Sequence, residues 1–223
     1  MANLFYTTKT IEPVAEYLAA VLKKQLWNGE QVLWLVSGGS SMAIALEAAN
    51  KIANMPLYNL TVSLADERFG DPGHPNSNWQ QLQAGGFSLP GANLYPILGS
   101  GDLEKSTAKF AAFLEENLSQ AGFKIGLFGM GADGHTAGIL SGSPAINSVS
   151  MAIHYKAPDF ERITMTPSAI RRLDEAVLYA IGENKKTALE NLAEDLPVAK
   201  QPAQALKQAG NLIVYNDYKG EKI

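Results

Sequence analysis

The chain contains no cysteine, and this absence excludes several kinds of chemistry at once. Disulfide bonds, thiolate metal sites and a cysteine nucleophile all require that residue. Only three histidines are present, His74, His135 and His154, and they lie far apart without the HxxxH spacing of a zinc-binding helix. We therefore expect no histidine-rich metal site.

Long apolar runs and an excess of positive charge are also missing. No apolar run reaches the ~20 residues that a membrane-spanning helix needs, and the first ten residues lack the basic and apolar regions of a signal peptide. Lys and Arg number 18 against 22 Asp and Glu, a net charge of -4, so there is no broad basic field for a nucleic-acid backbone. We expect a cytoplasmic protein that binds neither nucleic acid nor membranes.

The chain does have enough apolar residues for a sizeable core, since 46% of its 223 residues are hydrophobic. No repeat, composition shift or proline-rich linker divides it, so we predict a single domain over residues 1–223. Compact apolar strands such as Val32–Val36 alternate with amphipathic helices, and weaker strand-like segments occupy residues 149–155 and 162–165. This order predicts an α/β fold with a mostly parallel sheet flanked by helices on both faces.

A glycine-serine turn follows the strand that ends at Val36. Its sequence, Ser37-Gly-Gly-Ser-Ser41, precedes an alanine-rich helical segment. A strand, a glycine turn and a helix start together aim free N–H groups at an anion. The turn lacks the lysine of a P-loop and the spacing of a dinucleotide fingerprint, so it suits a single phosphate. The alternative is a turn that serves helix packing only.

Two further segments offer cations near predicted strand ends. Asp66, Glu67 and Arg68 follow an apolar strand directly, and Arg68 can offer phosphate a forked donor that Asp66 orients. Lys185 and Lys186 open a predicted helix, where cations oppose the helix dipole and suit a bound anion instead. In each case the alternative is an ordinary solvated charge.

The segment Gly126–Leu140, GLFGMGADGHTAGIL, carries the strongest candidate for chemistry. We interpret it as a strand that enters a glycine-rich turn holding Asp133 and His135, followed by a helix that Thr136 caps. Open α/β sheets bind ligands beyond the carboxyl ends of their strands, so His135 is well placed. A purely structural junction, with His135 hydrogen-bonded to backbone, is the alternative.

Four segments together resemble one family: SGGSS at Ser37–Ser41, DER with a later SN at Asp66–Asn78, GMGADGHTA at Gly129–Ala137, and RITMT at Arg162–Thr166. The chain is similar, over nearly its whole length, to 6-phosphogluconolactonases of the metal-independent kind. These are related to glucosamine-6-phosphate deaminase and ribose-5-phosphate isomerase, which implies a modified Rossmann fold.

The resemblance implies hydrolysis of 6-phospho-D-glucono-1,5-lactone to 6-phosphogluconate, the second step of the oxidative pentose phosphate pathway, with no metal or organic cofactor. It implies that His135 is the general base that activates water and that Asp133 orients its imidazole. We expect a monomer or small homo-oligomer. The substrate and phosphate side of the pocket would comprise Gly38, Gly39, Ser40, Asp66, Arg68, Arg162 and Lys185.

Two departures and two rival functions accompany the resemblance. Many members have threonine-proline where this chain has Ser41 and Met42, and leucine-phenylalanine-proline where it has residues 139–141. One rival is an isomerase or deaminase of the same fold with Asp66 as base, although the chain lacks the asparagine-glutamate-proline run that deaminases carry after DGH. The other rival is a sugar-phosphate sensor without catalysis.

Overall fold

A computed structural model describes residues 2–99 and 101–222. The strands are β1 (Ala2–Thr7), β2 (Val32–Val36), β3 (Leu60–Leu64), β4 (Asp66–Arg68), β5 (Asn93–Tyr95), β6 (Phe123–Gly129), β7 (Ala152–Lys156), β8 (Glu161–Met165), β9 (Glu175–Ala180), β10 (Asn211–Asn216) and β11 (Glu221–Lys222). The α-helices are α1 (Glu12–Trp27), α2 (Ser41–Ile52), α3 (Asn78–Ala84), α4 (Leu103–Gln120), α5 (Pro167–Ile170) and α6 (Lys186–Ala193). Three 3₁₀ helices span Pro144–Asn147, Glu183–Lys185 and Pro202–Gln208. Within the described ranges, no helix has the length and apolar character that crossing a membrane requires.

Eight strands form one parallel sheet in the order β11-β1-β10-β9-β6-β2-β3-β5. From β2 the chain proceeds outward to β3 and β5, and then returns to the other side of β2 as β6. The strand order therefore reverses between β2 and β6. In an open α/β sheet this reversal leaves a crevice at the carboxyl ends of the two strands, where ligands bind.

The centre of the sheet is buried on both faces. Successive side chains of a strand point to opposite faces of the sheet. All five residues of β2 are buried, so both faces are covered at this strand. Trp34 and its neighbours in β2 belong to one continuous hydrophobic core that also includes Leu18 of α1, Ile44 of α2 and Phe110 of α4. The predicted fold class, a mostly parallel sheet flanked by helices, is confirmed.

A second sheet of three antiparallel strands, in the order β4-β8-β7, stands apart from the parallel one. The segment Asp66–Arg68, which we interpreted as charged residues beyond a strand end, is itself β4. Its partner β8 contains the predicted strand-like segment 162–165. The segment expected at 149–155 begins later, at Ala152. The small sheet begins beside the carboxyl end of β3, because β4 follows β3 after one residue.

The expected helix after His135 was wrong. Residues 136–143 form turns and isolated bridges, and regular structure resumes only with the 3₁₀ helix that begins at Pro144. Gly138 and Gly142 interrupt any helix here, and Gly142 has a positive φ of 72°. The Thr136 hydroxyl donates to Gly129 O at 2.8 Å instead of capping a helix.

Candidate active site

A cavity of about 240 Å³ lies at the crevice between β2 and β6. The turns that follow β2 and β6 line it, as do β4, β8 and the short 3₁₀ helix after β9. All the predicted site residues except Asp133 are among its lining: Gly38, Gly39, Ser40, Asp66, Arg68, His135, Arg162 and Lys185. Segments far apart in sequence therefore meet at one edge of the sheet.

His135 and Asp133 form a close pair on the β6 side of the cavity. His135 Nδ1 lies 2.6 Å from Asp133 Oδ1, and the same oxygen accepts the backbone N–H of His135 at 3.2 Å. Burial opposes ionisation of Asp133, but the hydrogen bonds from His135 outweigh it and lower the pKa of this carboxyl. Because an ionised carboxylate only accepts, the proton between them is assigned to Nδ1. Nε2 is then free to accept a proton.

Gly131 lies directly against this pair of side chains. A Cβ atom at position 131 would lie 2.2 Å from His135 Nδ1 and 2.4 Å from Asp133 Oδ1, distances that no real Cβ contact reaches. The backbone holds this turn closed, because Gly131 N–H donates to His135 O at 2.8 Å. A side chain at position 131 would therefore displace this pair, and glycine allows the close approach of the two side chains.

The glycine-serine turn forms the β2 side of the cavity. The backbone N–H groups of Gly38, Gly39 and Ser40 make no hydrogen bond to any other residue that the structure describes. Ser40 is the N-cap of α2, yet its side chain caps no N–H group, and the first turn of α2 contains no acidic residue. Free amides at the positive end of a twelve-residue helix favour an anion.

Two guanidinium groups face the cavity from adjacent strands. Arg68 of β4 and Arg162 of β8 are directly paired across the antiparallel ladder, where like charges destabilise each other. Asp159 holds Arg162 through Nη2 at 2.6 Å, and Asp66 Oδ2 lies 3.7 Å from Arg162 Nη1. Arg68 packs over the Phe160 ring at 5.6 Å, and no carboxylate of the described residues forms an ion pair with it. An anion in the cavity would relieve this repulsion.

Asp66 contributes a buried carboxyl group to the same cavity. Only 4% of the residue is exposed. Burial raises its pKa, while the charges of Arg162, Arg68 and His135 partly oppose the rise. A carboxyl group with a raised pKa in a cleft is suited to proton transfer.

Lys185, not Lys186, faces the cavity. Lys185 is at the end of the 3₁₀ helix Glu183–Lys185 and lines the cavity wall. The Lys186 ammonium lies 4.8 Å from the centroid of the Tyr218 ring, in a cation–π contact. Arg68 and Lys185 are therefore the cations of this cavity that lack an ion pair among the described residues.

Glu67, which is not among the predicted site residues, anchors the loop beside the cavity. Its carboxyl group is completely buried and accepts four hydrogen bonds: from Arg68 N at 2.8 Å, Ser77 Oγ at 2.9 Å, Asn78 N at 2.6 Å and Trp79 N at 3.0 Å. Burial raises the pKa of Glu67, and these hydrogen bonds oppose the rise. The alternation of β4, with Asp66 and Arg68 on one face and Glu67 on the other, is the signal that could have revealed it.

Asn78 also lines the cavity and was noted only as part of a motif. It is 1% exposed, and its Nδ2 donates to Asp66 O at 3.0 Å. Gly38 leaves room for it, since a Cβ at position 38 would lie 2.3 Å from Asn78 Oδ1. No cluster of three or more potential metal ligands of the His, Cys, Asp or Glu type is present among the described residues.

Comparison with known proteins identifies the family. A family model described as glucosamine-6-phosphate isomerases/6-phosphogluconolactonase matches residues 7–214. A 6-phosphogluconolactonase of Synechocystis sp. (strain ATCC 27184 / PCC 6803 / Kazusa) is 28% identical over 189 residues, which cover 80% of this chain and 78% of the relative. A glucosamine-6-phosphate deaminase of Shewanella woodyi is also 28% identical, over 230 residues that cover 94% of this chain and 86% of the relative.

A solved structure shares the fold. The crystal structure of a 6-phosphogluconolactonase from Thermotoga maritima superposes with a TM-score of 0.83 at 19% identity, covering 96% of this chain and 99% of that one. The resemblance seen in the four sequence segments, and the expectation of an enzyme family, are confirmed. The chain belongs to the family of glucosamine-6-phosphate isomerases and 6-phosphogluconolactonases.

Proposed function

We propose that this chain is a 6-phosphogluconolactonase, which hydrolyses 6-phospho-D-glucono-1,5-lactone to 6-phosphogluconate. The observation that carries the proposal is the position of the His135–Asp133 pair, across one cavity from the glycine-serine turn. A base on one side and an anion-binding wall on the other suit a phosphorylated ester. The Synechocystis relative supports this choice, because it is a 6-phosphogluconolactonase and this chain aligns with most of its length.

In the proposed mechanism His135 acts as general base. Its Nε2 accepts a proton as water oxygen bonds to the lactone carbonyl carbon, and Asp133 stabilises the resulting imidazolium. The bond from that carbon to the ring oxygen then breaks, and the proton passes from His135 to the ring oxygen. General base catalysis contributes roughly 10²- to 10⁴-fold, and histidine suits it because its ordinary pKa lies near neutral pH.

The phosphate would occupy the positive part of the cavity. The free amides of the turn, with Arg68 and Lys185, offer donors and charge to a dianion. Arg162 is already held by Asp159, so we assign it to keeping the cavity positive and to orienting Asp66. A phosphate remote from the reacting carbon supplies binding energy that holds the ester against His135.

The decisive measurement is acid release from freshly generated lactone above the spontaneous rate. We expect His135→Ala to lower kcat by ~100-fold or more, because the general base is lost. His154→Ala is the matched control, since His154 lies outside the cavity and contacts Thr107 Oγ1 at 3.1 Å. Arg68→Ala should mainly raise KM for the phosphorylated lactone. Full activity of His135→Ala would eliminate the proposed base.

A sugar-phosphate isomerase or deaminase is the second candidate. The buried carboxyl of Asp66, with its raised pKa, is the observation that favours it, because such a reaction needs a base that moves a proton between two carbons. The deaminase of Shewanella woodyi is as similar as the lactonase, so identity does not separate them. Ketose formation from an aldose phosphate, without accelerated lactone opening, would select this candidate.

Binding without turnover would identify the sensor instead. Purified protein would then bind 6-phosphogluconate and leave lactone opening at its spontaneous rate. The cytoplasmic location, the monomeric or small homo-oligomeric state and the absence of nucleic-acid binding stay predictions.

A further inference from the structure

Three buried polar atoms at the cavity have no hydrogen-bond partner within the part of the chain that the structure describes. They are Ser37 Oγ, Arg68 Nε and Asn78 Oδ1. Buried polar groups are nearly always paired, and an unpaired one costs free energy. Three such atoms around one cavity indicate that a ligand, or water that a ligand displaces, completes their hydrogen bonds.

The Asn78 oxygen is the most informative of the three. A serine hydroxyl both donates and accepts, so Ser37 does not define the chemistry of its partner, whereas an amide oxygen only accepts. The orientation of the amide is settled by its other end, because Nδ2 donates to the carbonyl oxygen of Asp66 at 3.0 Å. Whatever pairs with Oδ1 must therefore carry a hydrogen-bond donor.

The position of Asn78 is rigid. Glu67 holds its backbone N–H at 2.6 Å, and Gly38 lies so close to the side-chain amide that a Cβ at position 38 would meet Oδ1 first. Only 1% of the residue is exposed. A side chain fixed in this way cannot turn to pair its own oxygen with another group of the protein.

We infer that Asn78 is a specificity-determining residue whose side-chain oxygen accepts a hydrogen bond from one ring hydroxyl of the sugar-phosphate substrate. The inference rests on the proposed function. In a 6-phosphogluconolactone, the ionised phosphate, the ester carbonyl and the ring oxygen are acceptors, and only the ring hydroxyls are donors. An unpaired acceptor in the cavity is thus matched by a hydroxyl and not by the phosphate.

The test compares the natural lactone with analogues that lack the hydroxyl at C2, C3 or C4, on the wild-type protein and on Asn78→Ala. Asn76→Ala is the matched control, because Asn76 lies two residues before Asn78, in the loop that precedes α3, and its side chain is exposed. In wild type, one of the deoxy analogues should lose at least about tenfold in kcat/KM, since it leaves the buried oxygen unpaired. In Asn78→Ala the same analogue should lose no more than about twofold, and Asn76→Ala should behave as wild type.

Calorimetric binding of 6-phosphogluconate and its deoxy analogues repeats the comparison without turnover. If the wild-type protein binds 6-phosphogluconate without hydrolysing the lactone, the proposed function fails, and the binding series still decides the role of Asn78. The inference would be overturned if every deoxy analogue lost the same factor in kcat/KM and in affinity with the wild-type protein as with Asn78→Ala. Hydrolysis by the wild type would leave the lactonase proposal intact in that case.

Discussion

Replacement of Gly131 by alanine tests whether the imidazole and carboxylate act as one unit. The new Cβ would meet His135 Nδ1 at 2.2 Å and Asp133 Oδ1 at 2.4 Å. Gly131 lies outside the left-handed region, so alanine itself adopts this backbone without strain. The substitution therefore perturbs the pair by contact alone.

The size of the effect follows from these distances. The ring nitrogen must retreat by about 1 Å to reach ordinary van der Waals separation from the Cβ, and this movement opens the 2.6 Å hydrogen bond. A misplacement of about 1 Å at a reacting group costs up to ~100-fold in rate. We expect kcat of Gly131→Ala to fall by about that factor, with calorimetric binding of 6-phosphogluconate changed little, because the anion-binding wall is untouched.

The assay is initial-rate lactone hydrolysis, with thermal unfolding measured on the same samples. Gly99→Ala is the matched control, since a Cβ there meets nothing within 4 Å and its φ is not positive. When Gly131→Ala is combined with His135→Ala, the fall in kcat should not exceed the fall caused by His135→Ala alone. A kcat of Gly131→Ala within about threefold of wild type, at unchanged melting temperature, would refute the reasoning.

Three further predictions concern charged groups. Lys185→Ala should raise KM for the phosphorylated lactone about tenfold, while Lys186→Ala should leave KM unchanged; equal effects in steady-state kinetics would contradict the assignment. Glu67→Gln should raise KM by about tenfold, because an amide nitrogen cannot accept the N–H groups that a carboxylate holds, and Glu175→Gln is a control with a buried carboxyl that lies outside the cavity. An unchanged KM in Glu67→Gln would exclude this positioning role. Burial, with a smaller contribution from a neighbouring aspartate, raises the pKa of Glu175 above its usual 4.5 against the opposing hydrogen bond from Tyr17. The folded state therefore binds this proton more tightly and loses stability as the pH rises through the raised pKa, so in urea unfolding Glu175→Gln should be more stable than wild type at pH ~8 and equal to it at pH ~4. A pH-independent difference between the two proteins would contradict that origin.

The large sheet could be predicted from sequence because its signals are local. Val32–Val36 is a continuous apolar run that ends at a glycine turn, and Gly126–Leu140 repeats the pattern of strand and turn. Parallel strands bring their carboxyl ends to one edge, which is why His135 and the glycine-serine turn meet at one cavity. The rule of strand ends predicted these neighbours without knowledge of the strand order.

The small sheet could not be predicted in the same way. Three residues, Asp66–Arg68, carry no periodic pattern, and they become a strand only because they pair with Glu161–Met165 from a distant part of the chain. The wrong helix after His135 has a local cause instead. The Thr136 hydroxyl has an acceptor in Gly129 O, across the turn, and this contact replaced the cap that we expected.

The hydrogen-bond partners of the side chains were the part of the site that the sequence predicted least. The pattern DER marked Arg68 and Asp66 as candidates, but the buried role of Glu67 depends on N–H groups that only the folded loop brings to it. The unpaired oxygen of Asn78 likewise has no sequence signal, because its surroundings are set by residues that only the folded chain brings together.

The ladder between β4 and β8 also has a consequence for how the chain folds. It joins positions far apart in sequence, Asp66 with Thr164 and Arg68 with Arg162. Closing the long stretch of chain between them costs conformational entropy, which the strand pairing must offset. Without this ladder, the eight-stranded sheet would carry the free amides of the glycine-serine turn, but Arg68 and Arg162 would not be held beside them. An anion that contacts both the free amides and the guanidinium groups would bind the completed molecule alone, and it would therefore stabilise that molecule by mass action.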